Sequence, residues 1–228
     1  MMKTVDAQLP LAIRRAATLE TTLWSNGRGA SCEVAICPES ASMDNFIWRA
    51  SMAQVSVDGA FSTFPGIDRT LVLLGGAGME LDLTRHVNAG SSHALREPLS
   101  TFGFEGETPP EAKLVDGPTH DFNLMVRREF ATGQVAVWRG PGQFVLPDDL
   151  VLLFVVHGRV ALTGVDLNDP EPIPLEACDS VKLNGIARLN LSISLPEKAV
   201  VLAVRVQMHD DDADTGAPTQ GRDIGHAR

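Results

Sequence analysis

Only three cysteines, Cys32, Cys37 and Cys178, occur in 228 residues. A set so sparse and odd in number excludes a disulfide scaffold and fits a reducing compartment, so a cytoplasmic location is expected. No apolar run is long enough to span a membrane, and Met1 to Arg15 lacks the apolar segment of a signal peptide. No membrane partner is therefore expected. Basic residues do not cluster either: the longest runs are the pairs Arg14-Arg15 and Arg127-Arg128, within a formal net charge of −10. Nucleic acid binding needs clustered Lys and Arg to displace phosphate counterions, which this chain does not offer.

Catalytic signatures are missing as well. There is no G-x-S-x-G elbow, no H-E-x-x-H and no Walker loop. Gly27-Arg28-Gly29 and Gly76-Ala77-Gly78 lack the third glycine of a dinucleotide fingerprint and read as turns. None of the six histidines forms an H-x-H pair, which one strand would need to aim two imidazoles into one cavity. Neither a catalytic metal nor a cofactor is expected.

Hydrophobic residues make up 44% and charged residues 21%, values of an ordinary soluble protein. Short apolar runs alternate with Gly, Pro and Asp clusters, as in Phe46 to Val57, Arg69 to Leu74, Phe122 to Val126, Val151 to Val156 and Val200 to Val206. The pattern predicts an all-β sandwich or barrel with little helix beyond a short turn near Asp148-Asp149-Leu150. An internal echo accompanies it. Leu71 to Gly76 resembles Phe154 to Gly158, and a second short match links Arg96–Leu99 with Ala177–Ser180. Two similar halves joined near residues 112–120 would explain both matches, as would chance. The expected division is 1–111, 112–208 and a solvated acidic tail at 209–228, where Asp210-Asp211-Asp212 precedes little that could be buried.

Three segments carry more polar residues at strand spacing than a plain core needs. Leu23 to Glu33 holds Trp24, Asn26 and two glycines, a turn whose backbone can approach something closely or an ordinary hairpin. In Phe46 to Ala53 the alternation puts Arg49, Ser51 and Ala53 on one face. In Asp121 to Arg128, Asp121, Asn123, Met125 and Arg127 share a face opposite Phe122, Leu124 and Val126. That polar face either meets solvent or points into a barrel.

These segments resemble the HutD/Ves family of bacterial proteins. The matching residues are Trp24-x-Asn26-Gly27-x-Gly29 with Glu33, then Phe46-x-Trp48-Arg49-x-Ser51-x-Ala53. They continue with Gly59-x-Phe61-Ser62-x-Phe64-Pro65-Gly66-x-x-Arg69 and Asp121-Phe122-Asn123-Leu124-Met125-x-Arg127. Ser31 stands where the family usually has Thr, which keeps the hydroxyl. The resemblance implies an RmlC-like cupin fold with two barrel halves in one chain (a bicupin). It also implies a role in histidine utilisation, through binding a pathway intermediate such as N-formylglutamate or urocanate. The His-rich metal motif of most cupins is absent, so their enzymatic habits do not carry over.

On that resemblance the candidate ligand-binding residues are Trp24, Asn26, Glu33, Arg49, Ser51, Ser62, Phe64, Arg69, Asp121, Asn123 and Arg127. A carboxylate entering a barrel loses its water, and an arginine fork can replace it, so Arg49 and Arg69 are the expected anion contacts. Asn26, Ser62 and Asn123 would orient a formyl or amide group, and Trp24 and Phe64 would supply apolar walls. Asp121 is expected to hold an arginine or asparagine in place. The first reading is a binding protein for a small organic acid. Its alternatives are a metal-independent enzyme with Glu33 or Asp121 as general base, and an interaction protein with a vestigial pocket. The oligomeric state stays open, a homodimer included.

Overall fold

A computed structural model describes residues 11–83, 92–164, 171–184 and 191–209. Among these residues the alternating segments form nineteen strands, and the helical content is one 3-10 turn at Ala16–Thr18. No helix among them is long and apolar enough to cross a membrane.

The strands make four antiparallel sheets. A six-stranded sheet runs β2 (Thr21–Leu23), β3 (Gly29–Cys37), β4 (Trp48–Val55), β11 (Thr119–Arg127), β6 (Ile67–Gly75), β9 (Thr101–Glu105). Facing its inner side is a four-stranded sheet of β5 (Gly59–Ala60), β10 (Glu111–Leu114), β7 (Met79–Asp82) and β8 (Ser92–Leu95). A five-stranded sheet runs β1 (Leu11–Arg14), β17 (Ser180–Leu183), β14 (Leu150–His157), β19 (Val200–Met208), β12 (Ala131–Arg139). Its four-stranded companion is β13 (Gly142–Val145), β18 (Leu191–Leu195), β15 (Val160–Gly164) and β16 (Ile173–Leu175).

The strand order repeats. The run β4-β11-β6-β9 reappears as β12-β19-β14-β17, and β5-β10-β7-β8 as β13-β18-β15-β16. The two sequence echoes fall on corresponding turns. Gly76 follows β6 with φ +92°, and Gly158 follows β14 with φ +86°. Both lie in left-handed space, where a Cβ is costly and glycine is not. The second echo is two positions out of register: it sets Leu99 against Ser180, whereas the structural counterpart of Leu99 is Cys178, and both have φ +67°. Their N–H groups donate to Leu73 O at 2.8 Å and Val155 O at 2.7 Å.

Sheet membership changes later than the boundary drawn at 111/112. Strands β10 and β11 pair with β7, β5, β4 and β6, so the first set of strands runs on to Arg127. The N-terminal strand goes the other way, β1 pairing with β17 from Leu11↔Leu183 to Arg14↔Ser180. Alternating apolar residues gave no sign of this crossing, because an edge strand of four residues fits either sheet. Of the expected tail, 210–228 lies outside the described residues.

The two large sheets pack face to face. Phe122, Leu124 and Val126 of β11 and Trp48 and Ala50 of β4 meet Phe154 of β14 and Leu202, Val204 and Val206 of β19. The Phe122 and Phe154 rings lie 5.3 Å apart at 38°. Each large side chain so buried contributes roughly 1.5–3 kcal/mol. Behind the five-stranded sheet the described residues form an apolar cluster that includes Leu153, Val155, Leu162, Ile193 and Val201. Behind the six-stranded sheet the apolar residues are divided. One apolar cluster holds Leu71, Leu73, Met79 and Leu81, another holds Ile36, Phe46, Ile67 and Met125, and polar side chains stand between them along β6 and β11.

Candidate functional site

The polar interior encloses a cavity of about 850 Å³. Strand alternation builds it: Arg49, Ser51 and Ala53 from β4, Arg69 and Leu71 from β6, and Asp121, Asn123 and Met125 from β11. Register aligns them. Asn123 lies opposite Ser51 and Leu71, and Met125 opposite Arg49 and Arg69. So the polar face of β11 points into the barrel, and its apolar face is also buried, against the second large sheet.

Glu33 enters from β3 at a β-bulge between Glu33 and Ala35. The extra residue turns both Val34 and Ala35 into the sheet–sheet core and leaves Glu33 on the cavity side. Arg14, the last residue of β1, reaches across to this bulge, donating from Nη1 to the Glu33 carbonyl at 2.8 Å. Arg49 Nε donates to Glu33 Oε2 at 2.9 Å, and its Nη1 to Ser51 Oγ at 3.4 Å. Arg49 is thus an ion-paired cation with part of its fork unused.

Arg69 differs. It is 7% exposed, and no carboxylate pairs with it among the described residues. Its Nε and Nη2 donate to Asn123 Oδ1 at 3.3 and 3.2 Å, and Nη1 to the Ser62 carbonyl at 3.3 Å. Phe104, Phe61 and Phe64 surround it, with ring centroids 4.9, 5.3 and 5.5 Å from Cζ. Burial, with the like charge of Arg49 second, pulls its pKa down to about 10. A guanidinium carries five N–H donors. Three are engaged here, so 5 − 3 = 2 remain for something in the cavity.

Asp121 is 1% exposed. Its Oδ2 accepts from Thr119 Oγ1 at 3.1 Å, while Oδ1 is buried without a partner. Burial pushes its pKa up to about 7, against the Thr119 hydrogen bond.

All the candidate residues line this cavity except Arg127. Arg127 sits one step beyond Met125, which closes that end with Phe46 and Ile67. There its Nε donates to Phe46 O at 3.1 Å and Nη2 to Asp44 O at 2.8 Å, so it ties down a loop. Two further expectations change. Asp121 holds neither an arginine nor an asparagine, since its hydrogen bond goes to Thr119. Asn26 Oδ1 accepts the Arg28 backbone N–H at 3.0 Å, so its carbonyl builds the turn. The close approach expected at that turn is to the chain itself, because a Cβ on Gly29 would strike Gln54 O and the Trp24 ring. Sequence reasoning missed Arg14, Arg28 and Phe61 as lining residues and Phe104 over Arg69. Phe61 stood within a quoted motif and was legible; Arg14 and Phe104 arrive from strands with no polar signature.

Among the described residues no three His, Cys, Asp or Glu side chains converge as metal ligands do. The family model described as HutD matches residues 16–202. A conserved protein of unknown function from Pseudomonas aeruginosa PAO1 is 30% identical, with a TM-score of 0.75 over 86% of this chain and 98% of that one. HutD from Pseudomonas fluorescens SBW25 is 26% identical, with a TM-score of 0.71 over 88% of this chain and 100% of that one. Ylba from E. coli, at 9% identity and a TM-score of 0.63 over 88% and 92% of the two chains, shares the fold alone. The fold is all-β and of the cupin type.

Proposed function

The chain belongs to the HutD family, and from that premise we propose that its cavity binds a small organic acid, with Arg69 and Arg49 as the anion contacts. The observation that carries this reading is the buried Arg69 guanidinium, which has no carboxylate partner among the described residues and two unengaged N–H donors. A charge kept out of water is costly unless something pairs with it. An incoming carboxylate supplies that pair, in a bidentate grip that the planar fork favours. The phenylalanines around Arg69 exclude water and strengthen the attraction. Binding of this kind, to an intermediate such as N-formylglutamate or urocanate, would modulate histidine utilisation in the cytoplasm, a role that the family's name suggests.

A second reading is turnover of the same acid, favoured by the Asp121 carboxyl, whose pKa near 7 suits proton transfer. Titration calorimetry on the parent, Arg49→Ala and Arg69→Lys with N-formylglutamate and urocanate tests the first reading. Hydrogen bonds to charged groups contribute about 1.5–3 kcal/mol, so each variant is expected to lose roughly ten- to a hundredfold in affinity. Parent-like affinity in both variants refutes the assignment. Product accumulating in the cell after titration would favour turnover over binding alone.

A further inference from the structure

The anion contacts account for one end of the cavity and leave Asp121 unexplained. Along β11 the side chains that face inward are Met125, Asn123 and Asp121, in that order. The Arg69 fork is held at the level of Asn123. Asp121 stands one pleat further, about 7 Å away at roughly 3.3 Å per residue. There its partners on the neighbouring strands are Ala53 and Leu73, neither of which can satisfy a polar group. Asp121 Oδ1 is therefore a buried acceptor with no donor, a state that proteins rarely tolerate without a use.

Resting on the organic-acid reading, we propose that Asp121 is the second recognition point of the cavity: it accepts a hydrogen bond from an N–H or O–H donor carried by the ligand about 7 Å from its carboxylate. The ligand class is thus an acid with a donor at its far end, rather than any small carboxylate. The rest of the cavity fits that polarity. Near Arg69 the nearby oxygens are already engaged, Asn123 Oδ1 and the Ser62 carbonyl by Arg69 and Ser51 Oγ by Arg49. That end offers donors to an anion, while Asp121 offers an acceptor. Asp121 lines the cavity, and its χ2 torsion is soft enough for the carboxyl to turn toward a donor there.

The acceptor works best ionised. The other titratable side chains lining the cavity are Arg49 on β4, Arg69 on β6, Glu33 on β3 and the exposed Glu20, Arg14 and Arg28. With the Asp121 carboxyl titrating near 7, its ionised fraction rises about tenfold from pH 6 to pH 8. A donor-bearing ligand should tighten over that interval.

Two acids that differ in a single ring N–H, 3-(pyrrol-3-yl)acrylate and 3-(furan-3-yl)acrylate, test this by calorimetry on the full chain at pH 6 and pH 8. The expected result is tighter binding of the pyrrole acid by about tenfold or more at pH 8, with a smaller preference at pH 6. Asp121→Asn should abolish the pH dependence, and Asp121→Ala should erase the preference while both acids still bind. Equal affinity of the parent for the two acids, or tighter binding at pH 6 than at pH 8, overturns the role of Asp121 and leaves the anion site standing. Failure of the parent to bind either acid, together with N-formylglutamate and urocanate, overturns both.

Discussion

Replacing Arg69 by Met separates a binding arginine from a structural one. Methionine is unbranched, nearly as long, and fits among Phe61, Phe64 and Phe104, which already surround the guanidinium. Burial that lowers the arginine pKa to about 10 corresponds to about 3 kcal/mol against keeping the charge there. Arg69→Met removes that penalty. It also strips Asn123 Oδ1 and the Ser62 carbonyl of their donor; Ser62 is exposed and can turn to water, while leaving the buried Asn123 acceptor unsatisfied costs about 1–3 kcal/mol. The two effects nearly cancel, so the variant should be within about 1 kcal/mol of the parent. For a chain of this length that is roughly 2–4 °C in melting temperature. Affinity for N-formylglutamate or urocanate should meanwhile fall at least about tenfold. Differential scanning fluorimetry beside titration calorimetry reads both quantities. Had Arg69 been one partner of a buried structural pair, its removal would cost about 3–5 kcal/mol. A melting temperature lower by about 10 °C or more, or undiminished affinity, would refute the reasoning.

Two further substitutions probe neighbouring groups. The folded-state carboxyl of Asp121 is raised to about 7, so its contribution to stability is fully present below about pH 4 and is lost as pH rises through 7. Asp121→Asn should therefore gain on the parent between pH 5 and pH 8, by up to about 3 kcal/mol in urea denaturation; an advantage equal at both values would reject the shift. Arg127→Ala removes the hydrogen bonds to Asp44 O and Phe46 O and a cation 5.5 Å above the Phe46 ring. It should lower stability by about 1–2 kcal/mol and leave acid binding unchanged, and weakened binding at unchanged stability would return Arg127 to the site.

Much of the site was legible because strand alternation is a local property. Asp121, Asn123 and Met125 share a face by counting alone, and so do Arg49, Ser51 and Ala53. Counting could not say which face is buried, and on β11 both are: one lines the cavity, the other meets β14 and β19. Counting also fails where local rules break. The bulge after Glu33 shifts the period by one, so Val34 and Ala35 point the same way. Arg127 keeps the period of its strand but lies beyond the plug of Met125, Phe46 and Ile67, where the cavity has ended. Arg14 and Phe104 reach the site through pairings distant in sequence, which no local pattern encodes. The fold was easier to read, since short apolar runs punctuated by glycine and proline leave little but strands to build. The echo at Gly76 and Gly158 marked a real correspondence of turns, whereas the point where the chain passes from one pair of sheets to the other depends on which strand β11 chooses as neighbour.

The path of β1 ties the molecule together as a clasp ties a strap. Residues at the start of the described chain extend the sheet that the last strands complete, while Arg14 at the tip of β1 grips the carbonyl of the Glu33 bulge in the other large sheet. Cutting the chain between Arg127 and Ala131 therefore frees neither half intact. The downstream piece would lose an edge strand and expose the flank of β17, and the upstream piece would carry a homeless strand and bare the Phe122 face. Melting should then be a single event, because the sheet that lines the cavity packs its other face on the five-stranded sheet. The strand that carries the charged lining of the cavity is braced from behind by Phe154, Leu202 and Val204.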